Sequence, residues 1–384
     1  MDVFTLRDNI ALLRRTSLMD AFNNSVRNFR RLLKGGTYAI DSTIVETPQA
    51  FPGSGKSVKE KKTNKGESSS FEYIYGFKLF ALYEVKSRII VAMTIVPANV
   101  SEHKHFLSTI KQGVRNCGRG KIKVIVADRG YLDGKHLWEL KNQMKIDFIV
   151  PAKKGMVVRE DAIALGKKMP KNRFSEWAYG KDKCKGYGID GLLTYIEYNN
   201  PNITKHNKNT NGTPINAVVV TQWCGKKVSE EKRTVFLTSL PAEDAASIAQ
   251  SYRLRSLIEN CGFRELKQAS FLKHIPRRIS KSMRGKKSDK TGEIENTAYI
   301  HIMMCVFAHT LFFAFLGWRK KQIVMQKKDE QDEVAVPVRR WRMQQSPDES
   351  KIFIVVEGKY YAFFEVYELL DILNIRQKYK VRRN

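Results

Sequence analysis

Two short β-branched runs in this chain carry an aspartate where a charge is costly. Tyr38-Ala-Ile-Asp41-Ser-Thr-Ile-Val45 holds one inside the run, and Lys123-Val-Ile-Val-Ala-Asp128 ends on one. Val and Ile at consecutive positions read as strands buried on both faces, as in an α/β sheet. An ionised carboxylate in such a strand needs a compensating partner. Asp128 falls at the carboxyl end of its strand, where open α/β sheets place their ligands. Gly130, two residues on, has no Cβ and allows a close approach of backbone to a phosphate.

A third carboxylate lies in a helical pattern. Between Ser251 and Gln268, Leu254, Leu257, Ile258 and Cys261 recur at spacings of three and four and mark one apolar face. Tyr252 and Arg255 precede Glu259 by seven and four residues, so all three share one helical edge. Alone, this is a surface helix with an ion pair one turn apart. Beside two strand carboxylates, it completes a set of oxygen ligands suited to divalent cations such as Mg²⁺. Two such ions activate an attacking oxygen and stabilise a leaving one in phosphodiester chemistry.

Ile40-Asp41-Ser42-Thr43, Ala127-Asp128-Arg129-Gly130-Tyr131 and Tyr252-x-x-Arg255-x-x-x-Glu259, followed by Phe263-Arg-Glu-Leu-Lys267, resemble the three catalytic blocks of a DDE transposase. The likeness is to the insertion-sequence subgroup with a Tyr-Arg-Glu-Lys signature, and it covers about residues 37 to 318. It implies an α/β fold: a ribonuclease H-like mixed sheet flanked by helices, interrupted by a β-rich insertion before the Glu helix. It implies that Asp41, Asp128 and Glu259 are catalytic and hold Mg²⁺, with Mn²⁺ as a substitute and two ions as the expected number. Tyr252, Arg255 and Lys267 are then expected to bind DNA phosphates near the cut end, a fork-shaped Arg beside a point-charge Lys. The implied partners are double-stranded DNA, at transposon ends and target, and a second copy of the chain on that DNA. The implied activity is cut-and-paste transposition. A catalytically inactive or truncated transposase-derived DNA-binding protein is the alternative.

The chain departs from the signature at one place. In the subgroup the Lys follows the Glu by seven residues, whereas Lys267 follows Glu259 by eight. In a regular α-helix the eighth residue points about 80° away from the first, against about 20° for the seventh. A π-bulge absorbs one extra residue, and such bulges recur at functional sites. The spacing predicts one, or a kink, between Asn260 and Phe263, where Gly262 tolerates irregular backbone.

Lys and Arg total 68 against 39 Asp and Glu, a net charge of +29 over 384 residues. A field of one sign at this strength points to a polyanionic partner. Five scattered cysteines without a C-x-x-C pair indicate neither a zinc site nor a disulfide framework and fit a reducing cytosol, which the resemblance implies is prokaryotic. The expected organisation is an N-terminal helical segment (1–36), the first part of the catalytic core (37–152), a β-rich insertion (153–240), the second part of the core (241–320), and a C-terminal element with a basic tail (321–384). The segment before Asp41 is shorter than in family members, which use a larger N-terminal region to bind transposon ends. Residues 48 to 70, with Lys56, Lys59, Lys61, Lys62 and Lys65, read as a solvated loop, with a DNA-backbone contact as the alternative. His103 and His105 read as exposed residues of a first helical turn that Ser101 caps. The basic run 270–290 reads as a connector, either a disordered linker or, since it directly follows the Glu helix, a DNA-contacting arm, the reading preferred here. Thr297 to Trp318 is apolar and long enough for a membrane span, but it carries His301 and His309 and reads as a buried core helix, with no membrane as partner.

Overall fold

The strand expected around Asp41 is the pivot of a ten-stranded mixed sheet. β1 (Gly36–Thr47) pairs antiparallel with β3 (Ser70–Glu84) on one side and parallel with β5 (Ile122–Ala127) on the other. The long β3 also pairs along its far edge with β2 (Gly55–Lys61) and then β4 (Ile90–Pro97). Beyond β5 come β6 (Asp147–Pro151), β10 (Arg233–Thr238), β9 (Ile215–Trp223), β8 (Asp182–Leu192) and β7 (Ser175–Tyr179). The computed structural model describes residues 13–49, 51–61, 70–179, 182–201, 212–223, 233–270, 272–273, 275, 289–329, 341–345, 351–356 and 359–365. They fall in two units, Met1–Arg319 and Lys320–Asn384.

Helices cover the core of the sheet, so its central strands need no polar face. Phe77, Leu79, Phe80, Ala81, Leu82 and Tyr83 of β3 are all fully buried. Along with β3 and β4 runs α2 (His103–Cys117), which α1 (Arg15–Phe29) joins through an amide network. Asn23 accepts from both Gln112 (2.8 Å) and Asn116 (2.8 Å), while Asn116 also donates to the carbonyl of Val91 (2.9 Å). α3 (Gly134–Asn142) connects β5 to β6, and α4 (Val157–Lys167) packs on β8 and β9. Glu84, fully buried at the end of β3, accepts from the Gly35 N–H and the Ser87 hydroxyl. These donors partly offset the burial that raises its pKa.

The strands expected in the 153–240 region continue the same sheet, because β10 adds antiparallel to β6 with Phe236 opposite Pro151 and Thr238 opposite Ile149. After β10 come α5 (Ala245–Arg253), a π-helical turn (Ile258–Phe263), α6 (Arg264–Gln268) and the long α7 (Asp289–Asp329). The apolar part of α7, Glu295–Arg319, is long and apolar enough to cross a membrane. Here Tyr299 meets Phe77 edge-on at 5.1 Å, Phe307 meets Phe22 at 6.0 Å, and Thr310 donates to the carbonyl of Ile90. His309 is buried and sits 3.3 Å from Glu265, which also pairs with Arg88.

Two expectations change. The solvated loop 48–70 contains β2, which forms a seven-pair hairpin arm with β3 from Gly55–Gly76 to Lys61–Ser70. α2 begins at His103 with Glu102, not Ser101, at its cap position, and His105 is half-buried against the ring of Phe80 at 5.5 Å. Residues 1–12 of the expected N-terminal helical segment, Lys62, Lys65, most of the basic run 270–290 and the tail from 366 lie outside the described residues. In the second unit β11 (Trp341–Gln345), β12 (Lys351–Val356) and β13 (Lys359–Glu365) form an antiparallel sheet.

Candidate active site

Asp41 and Asp128 occupy neighbouring strand positions. The parallel pairing of β1 with β5 ends at Ile40 opposite Ala127, and the two aspartates follow that last pair. Adjacent strands run about 4.8 Å apart. β5 stops there, and Asp128 opens a 3₁₀ turn, Arg129–Tyr131, closed by the Tyr131 N–H on the Asp128 carbonyl at 3.0 Å. β1 continues, because β3 still pairs with it on the other edge. Asp41 is 8% exposed and Asp128 half-buried.

Glu259 reaches this point through Arg255. One guanidinium nitrogen of Arg255 donates to Asp41 Oδ2 at 2.6 Å and to Glu259 Oε1 at 2.8 Å. The two carboxylate oxygens can therefore be no farther apart than those lengths combined. Asp41 Oδ1 accepts from the Ser42 N–H at 2.8 Å. Burial raises Asp41 to about 7; the Arg255 charge and the Ser42 N–H oppose this, and the charges of Glu259 and Glu102 add to it. Burial also lifts Tyr252 to about 12, with Arg255 acting against the rise and the charges of Asp128 and Asp41 adding to it. The Tyr252 ring packs on Phe236 of β10 at 4.6 Å, and Arg255 lies 5.9 Å above it.

The helix that carries these groups is not regular. The N–H groups of Leu254, Arg255, Leu257 and Ile258 each bond to the carbonyl three residues back. This is 3₁₀ winding, tighter than α. From Ile258 to Phe263 the winding opens into a π turn, and the Arg264 N–H bonds to the Glu259 carbonyl five residues back. The irregular turn predicted from the Glu–Lys spacing thus lies where expected. The regular helix assumed from Ser251 to Gln268 does not, because α5 ends at Arg253. Gly262 is buried in the π turn, and a Cβ on it would lie 3.5 Å from Ile258 and Tyr83, in ordinary contact. Lys267 is half-buried in α6.

Two further side chains enter the site without a role assigned from the sequence. Glu102 Oε1 accepts from the Ser42 hydroxyl at 2.7 Å. Tyr131 is fully buried, and its phenol is held well above the usual range by burial first and then by the charges of Asp41, Glu102 and Asp128. Tyr131 stands within the Asp128 block, so its place in the motif was a signal. Glu102 had none, being sixty residues from Ser42 in the chain.

The donor set is all carboxylate oxygen, which fits a hard divalent cation. The strongest sign of that fit is Arg255, a positive group toward which Asp41 and Glu259 both turn. Among the described residues, no three His, Cys, Asp or Glu side chains are gathered closely enough to hold an ion by themselves.

A family model for the transposase DDE domain matches residues 33–305, most of the chain. The chain belongs to the transposase DDE domain family. DNA recombination by transposition is the business of that family. Among solved structures, the chain is similar to a piggyBac transposase synaptic complex with hairpin DNA determined by cryo-EM, at 12% identity and a TM-score of 0.37. The likeness covers 87% of this chain and 62% of that one, so the chain spans less than two thirds of that protein's length. No curated protein matches the chain.

Proposed function

We propose that this family member is an insertion-sequence transposase of the Tyr-Arg-Glu-Lys subgroup that cuts DNA strands at transposon ends and joins them to a target. The observation that carries the reading is the meeting of Asp41 and Glu259 on Arg255 beside the strand end bearing Asp128. The order β4-β3-β1-β5-β6, with β1, β5 and β6 parallel, supports a ribonuclease H-like core.

Asp41, Asp128 and Glu259 would hold Mg²⁺ or Mn²⁺. Bound there, such ions supply the Lewis acidity that activates water or a 3′-hydroxyl and stabilises the leaving oxygen. The protein's own groups do the rest. Burial of Asp41 keeps its carboxylate poorly solvated, so it favours any cation offered. Arg255 can exchange its two carboxylates for a DNA phosphate, which its planar fork suits. The Tyr252 hydroxyl stays protonated at neutral pH and remains a hydrogen-bond donor to phosphate. Lys267 would add a point charge to the same phosphates. A net charge of +29 supplies the sequence-independent attraction to DNA, and two copies on paired ends complete the proposed assembly.

The test is to incubate the purified protein with its element's flanking inverted repeats and Mg²⁺ and to look for nicks at the repeat ends. Cleavage supports the reading. Tight DNA binding with no cleavage in Mg²⁺ or Mn²⁺ would instead favour an inactive DNA-binding descendant.

A further inference from the structure

Building on the reading of Asp41 and Asp128 as the cleavage site, we infer that Glu102 is a positioning residue that ties the Asp41 strand to the Asp128 turn. The need for such a tie follows from the sheet. Backbone pairing of β1 with β5 ends at Ile40 and Ala127, one residue short of both aspartates. Past that pair no ladder hydrogen bond fixes one aspartate against the other, because β5 gives way to the 3₁₀ turn.

Glu102 spans this gap with both carboxylate oxygens. Oε1 accepts from the hydroxyl of Ser42, the residue after Asp41, at 2.7 Å. Oε2 lies against Gly130, two residues after Asp128, so closely that a Cβ there would stand 2.0 Å from it. Gly130 has no positive φ, so its backbone could accept a side chain. A Cβ at Gly130 would meet the far end of the Glu102 side chain, which would have to shift from its present place. The carboxylate is free for the task because the α2 cap makes no side-chain hydrogen bond. It is held from below by α2, whose next turn places Phe106 against Tyr131 at 5.6 Å.

A positioning role differs from a ligand role in what a neutral isostere does. Glu102→Gln keeps the shape and an oxygen that accepts from Ser42, whereas Glu102→Ala removes both. Groups that orient metal ligands typically matter by about 10–100-fold in metal affinity or activity. Two readouts are used with the full-length chain: Mn²⁺ binding followed by electron paramagnetic resonance, and cleavage of the end DNA. Glu102→Ala and Ser42→Ala should each weaken Mn²⁺ binding and slow cleavage by about 10–100-fold, with the thermal midpoint little changed. Glu102→Gln should recover to within about threefold of wild type, since only the charge is lost. Gly130→Ala should mimic Glu102→Ala by pushing the carboxylate off Ser42. Combining the two should cost no more than either alone, because neighbours sharing one contact are not additive.

If Glu102→Ala binds Mn²⁺ and cuts like wild type, the inference is wrong. It is equally wrong if Glu102→Gln is as defective as Glu102→Ala, or if Gly130→Ala and Glu102→Ala add fully. Should Glu102→Ala fail to fold, Ser42→Ala, Glu102→Gln and Gly130→Ala decide the matter. A folded wild-type chain that neither binds Mn²⁺ nor cuts DNA would overturn the reading of the whole site, and this inference with it.

Discussion

The backbone N–H of Arg264 bonds to the carbonyl of Glu259, five residues back. A π turn at this point takes up one residue more than an α turn. With one residue absorbed, the eight-residue step from Glu259 to Lys267 covers the angle of seven, within about 20° of a whole number of turns. The unusual spacing and the unusual backbone therefore have a common explanation. Deleting the exposed Asn260 should convert the π turn to a regular one while preserving that phase. The expected result is a folded protein whose melting temperature lies within about 4 °C of wild type, with cleavage retained. Gross unfolding, or cleavage lost from a folded variant, would show that the π turn has some other purpose.

Asp128→Asn should abolish cleavage and spare DNA binding. An amide is a much poorer ligand for a hard cation, and losing several kcal/mol of charge stabilisation slows the reaction by about 10³-fold or more. The basic surfaces are untouched, so binding in a mobility-shift assay should stay within about threefold of wild type. Normal cutting in Mg²⁺ by this variant would remove Asp128 from the site.

The two aspartates were legible because Val and Ile around them define buried strands, and a charge in such a strand stands out. The π turn was legible as a mismatch of spacing. Other features were not. The 3₁₀ winding from Leu254 to Ile258 has no periodicity of its own, so the segment read as regular helix. β2 was hidden because Lys56, Lys59 and Lys61 give it the composition of a loop, while pairing with β3 makes it a strand. Glu102 acquires its meaning only when α2 brings it to Ser42, and no local pattern announces a contact of that range.

The β2–β3 hairpin presents a basic and aromatic surface. Val58 and Tyr73 are cross-strand partners, both more than half exposed, and Lys56 lies 3.7 Å over the Tyr73 ring. Aromatic faces beside lysines suit nucleic acid, the cation meeting phosphate and the ring a base. Lys56→Ala should weaken DNA binding by about threefold to tenfold and lower the slope of log K against log salt by about 1. Tyr73→Ala should weaken binding to single-stranded ends more than to duplex. Unchanged affinity and slope for Lys56→Ala would leave the hairpin as a solvated arm of the sheet.

The last prediction concerns pH. Burial, above all, raises Asp41 from 3.8 to about 7, despite the opposing Arg255 charge and Ser42 N–H. An acid whose folded pKa exceeds its unfolded pKa contributes stability at low pH, where it is protonated, and loses that contribution as pH rises through the folded value. Without divalent cations, wild type should therefore lose stability as the pH rises from about 4 to about 7 relative to Asp41→Asn, which has no charge to bury. The gap in melting temperature between variant and wild type should widen across that window and level off above it. Excess Mg²⁺ at pH 8 should narrow or reverse the gap, because only the ionised aspartate gains from the ion and binding to the folded state stabilises it. Thermal melts at several pH values, each with Mg²⁺ and with chelator, measure both effects. A gap that is constant with pH would mean that Arg255 fully compensates Asp41 in the free protein. A gap that Mg²⁺ leaves unchanged would mean that Asp41 does not hold the ion.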